Sequence, residues 1–425
     1  ETDIAEQSPR YANYVLGVLF VVYVLNFIDR QILSVFIDPI KKEFGVSDTA
    51  MGLLTGFAFA VFYTFAGIPL ARWADRGDRR LIITLGLTVW SAMTMATGFA
   101  RSFVTLALAR IGVGVGEAAG TPPAHSLISD YFPPERRATA IGIYSFGVYV
   151  GSALAYTCGG LLHQYFDWRT AFWLLGAPGL VFAAVVAFTV KEPPRGHSEN
   201  RVTHADERAS LGETLRFLLG CRSWVFLQAG SALLSIAGYG VLIWGYPFFG
   251  RVHALNPIQT GLAMGLIVGV GGGLGTLGGG VIVDRLARRD PRWSMRFPAI
   301  VNAFAIPLGV AYLLANRVDL AIALFFPFYA LMNVFVPALH TLNQNLARLR
   351  MRATASAVSL FILNIVGAGA GPFIVGALND GFAPEFGDHA IRYSLMVVSA
   401  AAFIATPLFY IGSRTLEADL QRARS

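Results

Sequence analysis

Apolar residues run along this chain in long blocks, without the alternation of a strand or the one-sided stripe of a surface helix. Crossing a bilayer takes ~20 mostly apolar residues in a helix. Twelve blocks meet that length, at 14–36, 51–73, 81–100, 103–127, 138–162, 169–190, 222–249, 258–283, 295–314, 319–345, 353–378 and 390–413. Between them lie short clusters of Arg, Asp, Gly and Pro that punctuate helices. The pattern predicts an all-α integral membrane protein, because lipid leaves irregular backbone without hydrogen-bond partners. The connection 191–221 is the longest and most polar. It predicts an N-terminal six-helix bundle over 1–190, a linker over 191–221 and a C-terminal six-helix bundle over 222–425. Within the linker, Ser210-Leu-Gly-Glu213 has the spacing of a capping box. It predicts a short amphipathic helix with Leu211, Leu215 and Leu218 on one side, lying along the membrane surface.

Composition supports that reading. The 425 residues are 55% hydrophobic and 14% charged, with a mean hydropathy of +0.56; soluble chains carry ~25% charged residues. The net charge of +7 does not point to nucleic acid, since the basic residues are spread over short connections. Their distribution instead fixes topology. The two termini and the even-to-odd connections hold 24 Lys and Arg, the opposite connections hold 7, and Arg30 and Arg110 lie within spans. By the positive-inside rule both termini are cytoplasmic; the excess of Arg over Lys points to a bacterial inner membrane. Cys158 and Cys221 lack the spacing of a disulfide or metal site. No Walker loop, CxxC or HExxH occurs. The GxGxxG spacing of Gly273, Gly275 and Gly278 falls inside a span, where helix packing explains it better than a dinucleotide. These observations predict no enzyme, metal or organic cofactor; the bilayer and a small molecule are the expected partners.

The chain repeats itself. Arg137-Ala-Thr-Ala140, opening the fifth span, recurs as Arg352-Ala-Thr-Ala355, opening the eleventh. Asp75-Arg76 with Arg79-Arg80, after the second span, recurs as Asp284-Arg285 with Arg288-Arg289, after the eighth. Two matches at nearly one offset, each at equivalent helix ends, predict parallel repeats with a central site.

With these motifs the chain resembles the major facilitator superfamily over essentially its whole length. The family's G-x-x-x-D-R-x-G-R-R signature is matched by Asp75, Arg76, Arg79 and Arg80, with Ala71 and Asp78 in place of the two glycines. Arg110, Gly114 and Gly116 match a second signature, and Gly367, Gly371 and Pro372 a third. In the fifth span Gly147 and Gly151 match, but Ser152 replaces the proline. Asn26-Phe-Ile-Asp29-Arg30-Gln31 and Gly116-Glu117-Ala118 look like the spinster family of lipid transporters. A D-R pair in the first helix is also found in organic-anion symporters of the superfamily.

Ionisable groups inside a membrane cost at least ~2.5 kcal/mol each and are functional candidates by default. Four stand out: Asp29, Arg30, Arg110 and Glu117. Asn26, Asp29 and Arg30 share one helix face at i, i+3 and i+4; Arg110, Gly114 and Glu117 share another at i, i+4 and i+7. Depth favours Asp29 with Arg110, and a small boundary shift favours Arg30 with Glu117. Asp29 or Glu117 is the expected proton carrier. Arg30 or Arg110, with Asn26, is the expected partner of an anionic head group, since guanidinium binds phosphate bidentately. The bland alternative is a fixed ion pair between two helices.

At the helix ends, Asp75 is placed to reach the start of the eleventh helix and Asp284 the start of the fifth, where the helix dipole favours a carboxylate. Arg79 is placed to pair with Asp130. The resemblance implies that Asp75, Arg76, Arg79, Asp130, Asp284, Arg285 and Arg288 latch the cytoplasmic side. Tyr63, Tyr144, Tyr149, Tyr239, Trp244, Tyr329 and His340 are candidates to line a cavity, and Pro247, Pro307, Pro337 and Pro372 to kink helices. The resemblance further implies a monomeric secondary active transporter working by alternating access, with a lysophospholipid or sphingoid phosphate as substrate. A small organic anion or drug, or a membrane sensor that no longer transports, are the alternatives.

Overall fold

The computed structural model describes residues 9–74, 76–194 and 210–424. Among the described residues every regular element is helical. The crossing helices are α1 (Pro9–Val35), α2 (Asp48–Ala74), α3 (Arg79–Thr97), α4 (Phe103–Tyr131), α5 (Pro134–Tyr165) and α6 (Trp168–Thr189). They continue with α7 (Arg222–His253), α8 (Pro257–Ala287), α9 (Trp293–Leu314) and α10 (Val318–Asn345). The remaining apolar stretch, Leu349–Arg424, has 76 residues. At ~1.5 Å per residue that is ~114 Å of helix, far more than one ~30 Å crossing. The chain folds back at 387–389, where Gly387 adopts a φ of 54°, and Gly371–Phe386 packs against Ala390–Ser399. The stretch therefore makes two crossings, α11 (349–386) and α12 (390–424), giving the twelve that the apolar blocks predict.

The chain divides into two compact units. One is Glu1–Phe44 with Ala58–Thr203, the other Gly45–Phe57 with His204–Ser425. Gly45–Phe57, which includes the first part of α2, belongs to the second unit. Helix α2 is broken at Gly56, whose ψ of −91° is not helical. Each unit uses the same pairings six helices apart. In the first, α5 packs on α1 and α3 packs on both α4 and α6; in the second, α11 packs on α7 and α9 on both α10 and α12. Glycines set the closest of these approaches. A Cβ on Gly151 would lie 2.5 Å from the Val24 carbonyl oxygen, and one on Gly371 would lie 2.6 Å from that of Ile236. The family motif is here a packing device.

Trp90, Leu87, Val113 and Leu127 centre the core of the first unit; Trp224, Met295, Leu339 and Phe409 centre that of the second. Outward-facing residues are also apolar: Phe188 is 88% exposed and Phe304 67%. Water-soluble surfaces rarely carry so much apolar area, whereas a lipid-facing surface requires it.

Three sequence expectations are refined. The short helix Leu211–Leu219 forms, with the Ser210 hydroxyl accepting from the Glu213 amide at 3.2 Å. Its buried face, however, is Thr214, Phe217 and Leu218, while Leu211 is exposed. The Glu213 carboxylate pairs with Arg350 instead of closing a capping box. In α8 the glycine stretch packs as expected, Gly275 against the Ala330 backbone of α10, but Gly278 faces open space. Pro247 and Pro307 sit inside continuous helices, whereas Pro337 and Pro372 fall in the first turn of helical segments.

Candidate transport site

The first unit gathers the four intramembrane charges in one place. Burial is nearly complete: Asp29 is 3% exposed, Arg110 2% and Glu117 1%. The ion pair joins Arg30 and Glu117. Oε2 of Glu117 accepts from Nη2 of Arg30 at 2.9 Å and from Nε at 3.0 Å. Asp29 and Arg110, the pair that depth in the membrane favours, do not form an ion pair. Arg110 Nη2 donates to the backbone carbonyl of Asp29 at 3.1 Å and not to its carboxylate. One helical residue is only ~1.5 Å of rise and about 100° of turn, so a slip of that size exchanges the partners.

Satisfaction is incomplete. Asp29 Oδ1, Glu117 Oε1, Asn26 Oδ1, and Nε and Nη1 of Arg110 are buried with no hydrogen-bond partner among the described residues. Buried polar atoms are otherwise paired in the great majority of cases. Two charges of each sign in one cluster keep the net near zero, and Arg110 lies within electrostatic reach of Glu117, Asp29 and Arg30.

Arg30 has a second set of neighbours. Its guanidinium carbon lies 4.9 Å from the Phe27 ring centre, 4.7 Å from that of Phe59 and 4.8 Å from that of Tyr63. Phe27 comes from α1 beside the arginine itself; Phe59 and Tyr63 come from α2. Gly114 brings α2 close, because a Cβ there would lie 3.0 Å from the Phe59 carbonyl oxygen. The room that Gly114 leaves on α4 is thus filled by the helix carrying the cage. A desolvated cation over an aromatic face gains ~2 kcal/mol. The Arg30 side chain is 15% exposed while that of Glu117 is at 0%. Of the charged pair, only the arginine side chain is accessible at all. Sequence reading found Tyr63 but missed Phe27 and Phe59; the signal was Phe27 beside Asn26 and Phe59 one turn before Tyr63.

The other cavity candidates divide. Tyr149 and Tyr239 are half-buried and His340 is exposed. Tyr144, Trp244 and Tyr329 are buried and make packing contacts. Tyr144 stacks on Tyr23 with ring centres 4.3 Å apart, and Trp244 is fully buried with its indole N–H donating to the Pro372 carbonyl at 2.9 Å. Tyr329 is 7% exposed and meets Phe325 edge-on.

The helix-end arginines also divide. Asp75 lies outside the described residues. Arg76 is exposed at the end of α2, and Asp284, Arg285 and Arg288, all three exposed, lie around the end of α8. Arg79 pairs with Asp130 as expected, but the pair is a staple internal to the first unit. The same guanidinium bonds Glu192 Oε1 at 2.6 Å, Ser126 Oγ at 2.8 Å and the Pro193 carbonyl at 2.9 Å. Asp78, which departs from the family glycine, caps α3 by accepting from the Leu81 amide at 2.8 Å.

A further cluster, unseen in the sequence, belongs to the second unit. Asp48 at the start of α2 is paired with Arg251 of α7 through both carboxylate oxygens, and Asn379 Nδ2 donates to it at 2.9 Å. Asp380 in turn accepts from the Asp48 amide at 3.0 Å and the Thr49 amide at 2.7 Å. Asp48 reads as a loop residue in the sequence because the apolar block begins only at Met51.

Comparison with known proteins bears on the whole chain. The Major Facilitator Superfamily model matches residues 19–372. An MFS-type efflux pump of Mycolicibacterium smegmatis is 34% identical over 423 residues, covering 99% of this chain and 97% of its own. The sphingosine-1-phosphate transporter SPNS2 of Mus musculus is 25% identical, covering 92% of this chain and 76% of its own. A solved bacterial homologue of the human lysosomal transporter Spinster, in an inward-facing and unoccupied conformation, superimposes with a TM-score of 0.87. It is 32% identical and covers 97% of this chain and 99% of its own. Family model, relatives and solved structure agree with one another: the chain belongs to the major facilitator superfamily, as a multi-pass membrane transporter of the spinster type and not an enzyme.

Proposed function

We propose that this protein is a proton-coupled, alternating-access carrier of an anionic amphiphile, a lysophospholipid or a sphingoid phosphate. The observation that carries the reading is Arg30, held by one carboxylate and three aromatic rings with its side chain still partly accessible. A phosphate head group competes with Glu117 for the guanidinium, since both are bidentate acceptors. Glu117, once released, is neutralised by a proton, because an unpaired buried carboxylate is costly. Binding of anion and proton are thereby linked through one side chain. Asp29 and Arg110, with their unpartnered polar atoms, form the second exchangeable group. The cage rings offer an apolar wall to the first methylenes of a tail. Both termini are cytoplasmic on this reading, in a bacterial inner membrane, with Asp75 and Asp284 latching that face in a monomeric carrier. The sphingosine-1-phosphate activity named for the mouse relative supports the amphiphile.

The second reading, a small organic anion or drug, is favoured by the relative described as an efflux pump. Uptake of labelled lysophospholipid into proteoliposomes under an imposed pH gradient tests the choice. Gradient-driven uptake in wild type and its loss in Glu117→Gln supports the proposal. No uptake by folded wild-type protein transfers the assignment to the small anion.

A further inference from the structure

A pocket of about 520 Å³ shares no residue with the charge cluster. It forms between the short helix Ile37–Phe44 and the turn joining α5 to α6, all within the first unit. Lys42, Glu43, His163, Phe166, Asp167 and Trp168 line it.

One wall is fixed. The Trp168 indole N–H donates to Glu43 Oε2 at 2.7 Å. Arg169 donates to both oxygens of the same carboxylate, each at 2.7 Å, and to the Ala100 carbonyl at 2.9 Å. Its guanidinium also lies 4.1 Å from the Trp168 ring centre. Arg169 therefore neutralises Glu43, and its hydrogen bond holds that carboxyl below the usual range. Two lining charges remain without an ion-pair partner among the described residues: the Lys42 ammonium and the Asp167 carboxylate. One Asp167 oxygen accepts from the Thr170 amide at 2.9 Å, and hydrogen bonds from Thr170 hold the carboxyl below its ordinary range. The pocket presents one cation and one anion on different elements.

Its depth in the bilayer is marked by aromatic rings. Tyr165 is 69% exposed and Phe166 49%, at the end of a crossing helix. Exposed aromatic residues at span ends sit at head-group level. This end of the unit is opposite the one carrying Arg76, Arg79 and Arg80.

We infer that this pocket binds the zwitterionic phosphoethanolamine head group of a bilayer lipid, with the phosphate at Lys42 and the ammonium at Asp167. The exposed Phe166 ring flanks the glycerol. A purely anionic head group would leave Asp167 facing like charge. A choline head group fills the space but cannot donate hydrogen bonds to the carboxylate.

The test is native mass spectrometry of the full chain with equimolar phosphatidylethanolamine, phosphatidylglycerol and phosphatidylcholine of one acyl composition. Phosphatidylethanolamine is expected to be retained in preference. Lys42→Met and Asp167→Asn should each lower that retention about tenfold, the value of one charge-assisted contact. Asn still caps α6, so the second variant keeps the fold. Soluble glycerophosphoethanolamine distinguishes the sources: competition only at far higher concentration than the lipid assigns the site to the bilayer. Equal retention of the three lipids, preference for phosphatidylglycerol, or indifference to both substitutions would overturn the inference. So would equal competition by the soluble head group.

Discussion

Arg79 and Arg110 are both almost fully buried, at 1% and 2% exposure, yet their surroundings differ. Every nitrogen of the Arg79 guanidinium has an acceptor, two of them carboxylates. Arg110 makes one hydrogen bond to a backbone carbonyl and leaves Nε and Nη1 bare. The same contrast separates two aspartates. Asp48 uses both oxygens on Arg251 and Asn379, whereas Asp29 Oδ1 has no partner among the described residues. Saturated charges stabilise one arrangement. Charges left with spare valence can change partners at low cost, and a carrier that binds and releases needs such a set.

The sharpest way to break the comparison is Glu117→Gln. It keeps the shape and removes the ionisable charge, so pH-gradient-driven uptake should fall to background, with a smaller loss of thermal stability in detergent than Arg79→Ala gives. Large destabilisation with intact coupling would reverse the assignment of the two clusters. Arg79→Ala should do the opposite. It strands Asp130 and Glu192 and should cost about 3 kcal/mol of stability, read as a lowered unfolding midpoint. Residual transport per folded molecule should survive. Arg30→Lys retains charge but loses the planar, bidentate geometry, so the affinity for an anionic amphiphile should drop about tenfold in equilibrium binding, with little change in stability. The smallest effect concerns Glu43, whose side chain is 42% exposed. Its carboxyl is held below the ordinary range when folded, so its contribution is present at neutral pH and lost as pH falls through the depressed value. Glu43→Gln should cost under about 1 kcal/mol at neutral pH. The difference from wild type should shrink on acidification below about pH 4.

Much of this was legible from spacing alone. Crossing helices are read from block length, the paired units from the recurrence of two motifs at nearly one offset, and the four charges from their rarity within apolar blocks. Arg79 with Asp130 was legible because both flank short connections. What stayed hidden has a geometric cause. Exchanging Asp29 for Arg30 as the charge partner takes one residue of helix rotation, finer than apolar block boundaries define. The aromatic cage depends on Gly114 admitting α2, an approach between helices that no single-helix pattern encodes. Asp48 meets Asn379 and Asp380 from a remote part of the chain, and its block begins too late to mark it. Trp244 and Tyr144 resemble cavity residues in sequence because aromatic rings pack and bind with the same spacing.

The break at Gly56 has a consequence for biogenesis. Residues 45–57 leave the ribosome long before Asp380, which caps their helix and follows 332 residues after Asp48. At a synthesis rate of ~5–20 residues per second, that interval is roughly 17–66 seconds. Until Arg251 and Asn379 emerge in their turn, Asp48 lacks both, and a carboxylate meant for the protein interior must be held elsewhere. The nascent α2 is therefore incomplete in a defined way, and crossings made late in synthesis are the ones that bury a charge made early.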